Sequence, residues 1–260
     1  MTISRRTLAL ALVFGVVAPT ALAAPAPKKL LVVTVTKGFR HVDSIPVAEE
    51  VLGELAQKSG RFTLDYARTD AELQQKTTSE ALKGYDGVVF ASTTGDLPLA
   101  DRDAFLPWLA SGKAFIGMHA ATDTFHNFPP FIEMIGAEFK THGPQVEVEC
   151  LVEDAKHPAT KTLGRGVSVF DEIYQFKSYD RQKLHGLLAL DRHPNTREPG
   201  DFPIAWCKRY GKGRVFYTAL GHRPDVWRKG WYQEHVLGGI LYALGLVKGS
   251  DKLPKPQKQR

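Results

Sequence analysis

Hydrophobic residues in this chain fall into short continuous runs separated by polar loops. Leu30 to Val35 is almost wholly apolar, as are Gly87 to Ala91 and Ala114 to Met118. Runs of this length without alternation predict strands buried on both faces. Phe62 to Ala67 reads as a further strand. Between these runs the pattern turns helical. Asp43 or Ser44 caps a helix with Pro46 in its first turn, which runs to Ser59 and stops at Gly60. Ala71 to Leu82 is weaker helical material, and Ala100 to Ala110 is a helix closed by Ser111-Gly112. Strand and helix alternating at this spacing predict right-handed crossovers and an α/β, doubly wound, mostly parallel sheet.

The second half is less regular. Phe131 to Ile135 predicts a short helix, and Val146 to Val152 alternates as a strand with one wet face. Tyr174 to Phe176 and Leu187 to Leu190 are expected strands. Ile204 to Tyr210 and Arg214 to Thr218 form an antiparallel hairpin about Gly211-Lys212-Gly213, and Tyr232 to Leu246 is a closing helix.

The termini change the picture. Residues 1–23 combine Arg5 and Arg6, an apolar stretch from Leu8 to Ala18 and Ala21-Leu22-Ala23. That is a signal peptide, too short to span a membrane, so a periplasmic or secreted location is expected. Ser4-Arg5-Arg6 is also compatible with twin-arginine export. A linker (24–28) precedes the folded domain (29–247), and a basic, disordered tail (248–260) follows it. Leader and tail carry the excess behind the net charge of +6, leaving the domain near neutral and without a nucleic-acid face. Cys150 and Cys207, both in strand-like runs, read as buried free thiols.

Candidate chemistry is concentrated in loops. Strand ends at Val35, Ala91 and Met118 open into Gly-rich or polar segments, the edge at which open α/β sheets bind ligands. His119, at the last of these, is therefore the foremost candidate. His41, His142 and His222 sit in comparable loops, with Asp123 and the pair Asp171-Glu172 as carboxylates. Three chemistries stay open: a divalent metal such as zinc held by imidazoles and a carboxylate, a His general base, or sugar recognition by polar groups with Phe39, Phe125, Tyr174 and Trp227 as stacking walls. Arg40 is a candidate anchor, Asp171-Glu172 reads more as a solvated strand edge, and His157, His185 and His193 read as turn residues. His126 is undecided and His235 structural.

These residues carry a resemblance to the ThuA-like family, named for trehalose utilisation. It rests on Lys37-Gly38-Phe39-Arg40-His41, Gly117-Met118-His119-Ala120-Ala121-Thr122-Asp123, Asp171-Glu172-Ile173-Tyr174, Gly211-Lys212-Gly213-Arg214 and Leu220-Gly221-His222. The resemblance implies a flavodoxin-like fold of the class I glutamine amidotransferase type. In that superfamily a nucleophilic Cys occupies the position held here by His119, and His222 with Asp225 falls where the late His and acid lie. Thiolate amidotransferase chemistry is therefore not expected. The implied activity is hydrolysis or elimination on a disaccharide or 3-keto-glycoside. His119, His222, Asp123 and Glu172 would be catalytic; Phe39, Arg40, His41, Thr122, His142 and Tyr174 would bind the sugar. His41, His119, His142 and His222 would be the ligands of any metal. The alternative is a sugar-binding protein without catalysis.

Overall fold

The computed structural model describes residues 26–253. The expected signal peptide, the first two residues of the linker and the end of the tail lie outside this range. In chain order the elements are β1 (Lys28–Val33), α1 (Ser44–Ser59), β2 (Phe62–Ala67), α2 (Asp70–Lys76), α3 (Ser79–Leu82), β3 (Gly87–Ala91), α4 (Arg102–Ala110) and β4 (Ala114–Met118). There follow α5 (Pro129–Ile135), β5 (Glu138–His142), β6 (Val146–Val152), β7 (Gly166–Asp171), β8 (Tyr174–Lys177), β9 (His185–Arg192), β10 (Pro199–Tyr210), β11 (Gly213–Thr218), α6 (Pro224–Trp227) and α7 (Gly230–Ala243).

Nine strands form one sheet in the order β2-β1-β3-β4-β11-β10-β9-β6-β7, and β5 pairs with β8 in a small antiparallel sheet. The ladders from β2 to β11 are parallel, and those from β11 to β7 are antiparallel. The fold is α/β as expected, with a sheet parallel over five strands and mixed as a whole. The antiparallel half holds more than the expected hairpin, because β6, β7 and β9 extend it. Leu30 and Val32 face one core with α1 and α7, while Leu31 and Val33 face another with α4 and α5. Burial on both faces is what the continuous apolar runs of β1, β3 and β4 encode.

Local chemistry sets the breaks. Gly60 ends α1 in the left-handed region (φ 61°), where a side chain would be strained. The helical stretch expected over 71–82 divides at Thr77–Thr78. Thr69 caps α2 through a capping box with Glu72, and Thr78 caps α3 anew. The ordered chain also runs past the expected boundary at 247. Cys207 Sγ meets the Ser250 carbonyl, His185 Nδ1 meets that of Lys252, and Asp251 pairs with Arg209. Both cysteines are buried and free. No described helix is long and apolar enough to cross a membrane.

Candidate functional site

Strands β3, β4 and β11 end level: Ala91 and Thr218 both stand beside Met118 in the register. Each strand then turns sharply. His119 follows β4 with φ 48°, a left-handed conformation rare for a side-chain-bearing residue and a store of local strain. A single 3-10 turn (His119–Asp123) continues from it. Small residues permit the bend: a Cβ at Gly117 would lie 2.9 Å from the Tyr217 ring and 3.3 Å from Ala121. Tyr217 donates its hydroxyl to the His119 carbonyl (2.6 Å), pinning the turn from β11.

Four side chains from four segments meet here. His41 comes from the loop after β1, His119 from the end of β4, Glu172 from the β7–β8 connection, and His222 from the loop after β11. One ligand atom from each lies within 4.8 Å of all the others. His119 Nε2 is 3.0 Å from His41 Nε2, 3.3 Å from His222 Nδ1 and 3.7 Å from Glu172 Oε1. His222 Nδ1 is 3.3 Å from the same carboxylate oxygen.

The proton on His119 can be located. Its Nδ1 is 2.9 Å from the Ala219 carbonyl, which only accepts, so Nδ1 carries the hydrogen and Nε2 presents a bare lone pair to the cluster. Burial, with His41 beside it, holds His119 well below the usual imidazole range. Burial and the neighbouring His222 lower His41 to about 4. Both rings are neutral at physiological pH. His222 moves the other way, because the hydrogen bond and charge of Glu172 outweigh its burial.

Three neutral-capable imidazoles and one carboxylate are a donor set suited to a zinc-class dication. A tetrahedron with bonds of ~2.05 Å has edges of about 3.3 Å; the contacts of His119 Nε2 and that of His222 with Glu172, 3.0–3.7 Å, bracket that value, and the remaining pairs lie within 4.8 Å. The backbone bond on His119 is the kind of outer contact that fixes a ligating imidazole. His41 lacks one, its Nδ1 being buried without a partner among the described residues.

Around the four lie residues that hold them. Asp171 is fully buried and accepts the backbone N–H of Gly221 (2.8 Å) and Arg223 (3.1 Å), clamping both sides of His222. His142 Nδ1 is 3.1 Å from Glu172 Oε2. A cavity of about 220 Å³ opens over the cluster, walled by Phe139 and Tyr174 and bordered by Asp123. The Asp123 carboxylate is itself held: His126 bridges Asp123 and Glu138 with 2.6 Å contacts on both ring nitrogens. A larger cavity, about 500 Å³, lies beyond this bridge and contains none of the four cluster residues.

The family model for ThuA, described as trehalose utilisation, matches residues 29–243. The chain belongs to the ThuA family. A solved ThuA-like protein from Bacteroides uniformis is 26% identical, covering 87% of this chain and 95% of that one, with a TM-score of 0.70. Another, from Parabacteroides merdae, is 21% identical over 88% and 94% of the two chains, with a TM-score of 0.69. A β-galactosidase from Bacillus circulans sp. alkalophilus shares the fold over 86% of this chain and 31% of its own, at 13% identity and a TM-score of 0.53. The comparison with curated proteins found no match.

Within this ThuA-family site the expected residues divide. His41, His119, His222 and Glu172 converge, whereas His142 stands one contact out and reaches the cluster only through Glu172. Asp123 faces the cavity but pairs with His126 rather than with His119. Thr122, expected to bind sugar, is buried and bonded to Tyr217 (3.1 Å), so it does not reach a ligand. Phe125 and Trp227, expected as stacking walls, are fully buried in packing roles. Arg40 is exposed and anchored to the Thr34 carbonyl (3.0 Å). Asp225 pairs outward with Arg223, and the acid behind His222 is Asp171. The pair Asp171-Glu172 is buried, contrary to its reading as a solvated edge. His157 stands in a turn as expected, with its side chain buried, and His185 lies on β9 bonded to Asp154 rather than in a turn. The roles of His126, Glu138 and Asp171 depend on strand pairings that residue spacing does not disclose.

Proposed function

We propose that this ThuA-family chain is an exported, metal-dependent carbohydrate-processing enzyme, acting by hydrolysis or elimination on a disaccharide or 3-keto-glycoside. The observation that carries the proposal is the convergence of His41, His119, His222 and Glu172 beneath an open cavity with aromatic walls. A divalent ion such as zinc would be held by the three imidazoles, with substrate exchanging for Glu172 at the fourth position; the ion would then polarise a substrate oxygen, and Glu172 would be free to act as a base. Glu172 and Asp123 would be the proton-handling groups, since both are carboxylates bordering the same cavity. Phe139 and Tyr174, with ring centroids 4.3 Å apart, would stack on a sugar face. Neither thiol competes for the role of nucleophile. Burial pushes Cys150 and Cys207 up to about 12, and neither belongs to the cluster. The five parallel strands flanked by helices support a flavodoxin-like reading of that half, and residues 1–23 support export.

The test is elemental analysis of protein prepared without chelators or a His tag, followed by assays on trehalose and 3-ketotrehalose. One zinc-class ion per chain, lost in His119→Ala together with turnover, is expected. Full turnover by metal-free protein would refute the metal, and binding without turnover would leave only a sugar-binding role.

A further inference from the structure

The cavity over the cluster has a twin. A second cavity, also of about 220 Å³, shares Phe39, His41 and His222 with the first. The two therefore lie on opposite sides of a ridge formed by two cluster imidazoles and one aromatic ring. Phe39 crowns that ridge, packed edge-on against His41 with centroids 4.9 Å apart and 68% exposed. Val42, 64% exposed, lies beside it in the second cavity. Two large apolar side chains left in water at the mouth of a polar site are what a ligand with an apolar face would cover.

The two cavities differ in balance: carboxylates and aromatic rings prevail in the first, guanidinium groups in the second. The first presents the acceptors Asp123 and Glu172 against aromatic walls, and suits a ring whose hydroxyls donate. The second presents donors from Arg40 and Arg223, with Gln145, Ser44 and one carboxylate, Asp43. Arg223 is set in place by Gln145 (3.0 Å) and Asp225 (2.7 Å). Ser44 Oγ is the sharper sign. It is 1% exposed and has no hydrogen-bond partner among the described residues. A buried hydroxyl without a partner costs about 1–3 kcal/mol, and a bound ligand can supply what it lacks.

Resting on the carbohydrate reading above, we infer that the site takes a two-unit glycoside, with one unit in each cavity and the linking bond across the His41–His222 ridge. The first unit stacks on Phe139 and Tyr174 and gives hydroxyl protons to the carboxylates. The second accepts hydrogen bonds from Ser44 and the two guanidinium groups. Phe39 covers the link. The arrangement selects for length, because a single ring fills one cavity and leaves Ser44 unpaired.

Calorimetric titration of the zinc-loaded chain with glucose and with trehalose tests this. Trehalose is expected to bind at least about tenfold tighter than glucose, the ratio that one or two good hydrogen bonds to charged donors supply. Val42→Trp fills the second cavity from an exposed position that the fold does not depend on. It should abolish that advantage and leave glucose affinity unchanged, while Ser44→Ala should reduce the advantage. Phe139→Ala should weaken both sugars. If glucose binds but trehalose binds no tighter, or if neither Val42→Trp nor Ser44→Ala alters the ratio, the second cavity is not a subsite and the inference falls alone. If neither sugar binds, the carbohydrate reading falls with it.

Discussion

Asp171→Asn separates what the buried carboxylate does for the site from what it costs the fold. Asp171 is fully buried, and its two oxygens take the N–H groups of Gly221 and Arg223. Burial raises its pKa from the ordinary 3.8 to about 6, with those backbone hydrogen bonds holding it from going higher. An acid whose folded value lies above its unfolded value supports the native state fully only below the unfolded value. That support is lost as pH rises through the folded value. Asparagine cannot ionise, so the variant escapes the loss. At about 1.4 kcal/mol for each tenfold change in proton affinity, the stability of Asp171→Asn relative to the parent should grow by about 2 kcal/mol between roughly pH 4.5 and pH 7.5. Urea unfolding in the presence of a chelator, which removes metal linkage, measures it. The amide oxygen replaces only one of two acceptors, so the loop bearing His222 is held less well, and zinc affinity should fall about tenfold. A stability difference that is flat with pH would refute the reasoning, because it would mean that Asp171 ionises alike in the folded and unfolded chain.

Three further outcomes follow from the geometry. Glu138→Gln should lower the His126 pKa, since Glu138 and Asp123 together raise it against the pull of burial; an unchanged imidazole midpoint by NMR titration would contradict the bridge. His142→Ala should keep one zinc per chain while weakening affinity ~10-fold, because His142 acts through Glu172; complete loss of the ion would move His142 into the donor set. The two thiols should resist an aromatic disulfide reagent in native protein and react on urea unfolding. Rapid native labelling would show that β6 or β10 opens.

The parallel half was legible because β1, β3 and β4 are continuous apolar runs punctuated by glycines and caps. The antiparallel half was legible only in its strongest members. Strand β5 is short, mostly exposed and rich in polar residues, and β7 buries only Val169 and Asp171, so neither carries a strong hydrophobic signal. The site divides along the same line. His119 could be singled out from its place at a strand end, and His41 and His222 from loops at the same sheet edge. Glu172 reads locally as half of a surface charge pair, because nothing in its neighbourhood says that β7 delivers it into the cluster. His126 needs β5 to bring Glu138 beside it, and Asp171 needs β11 to end where its loop can be clamped. Those are long-range pairings, which local propensity does not encode.

Strand β4 lies between β3 and β11, yet β11 follows it only after the whole antiparallel half has been made. Wherever the chain emerges N-terminus first, a segment that has emerged as far as Met118 can zip β1 to β4 together while the outer rim of β4 stays unpaired. That rim is buried and apolar in the finished molecule, and exposed rims of this kind seed sticking between chains. The last strand to be synthesised thus lands in the middle of the sheet and closes this vulnerable stage. The loop it brings with it carries His222, so the four-residue cluster is completed in the same step that buries the rim.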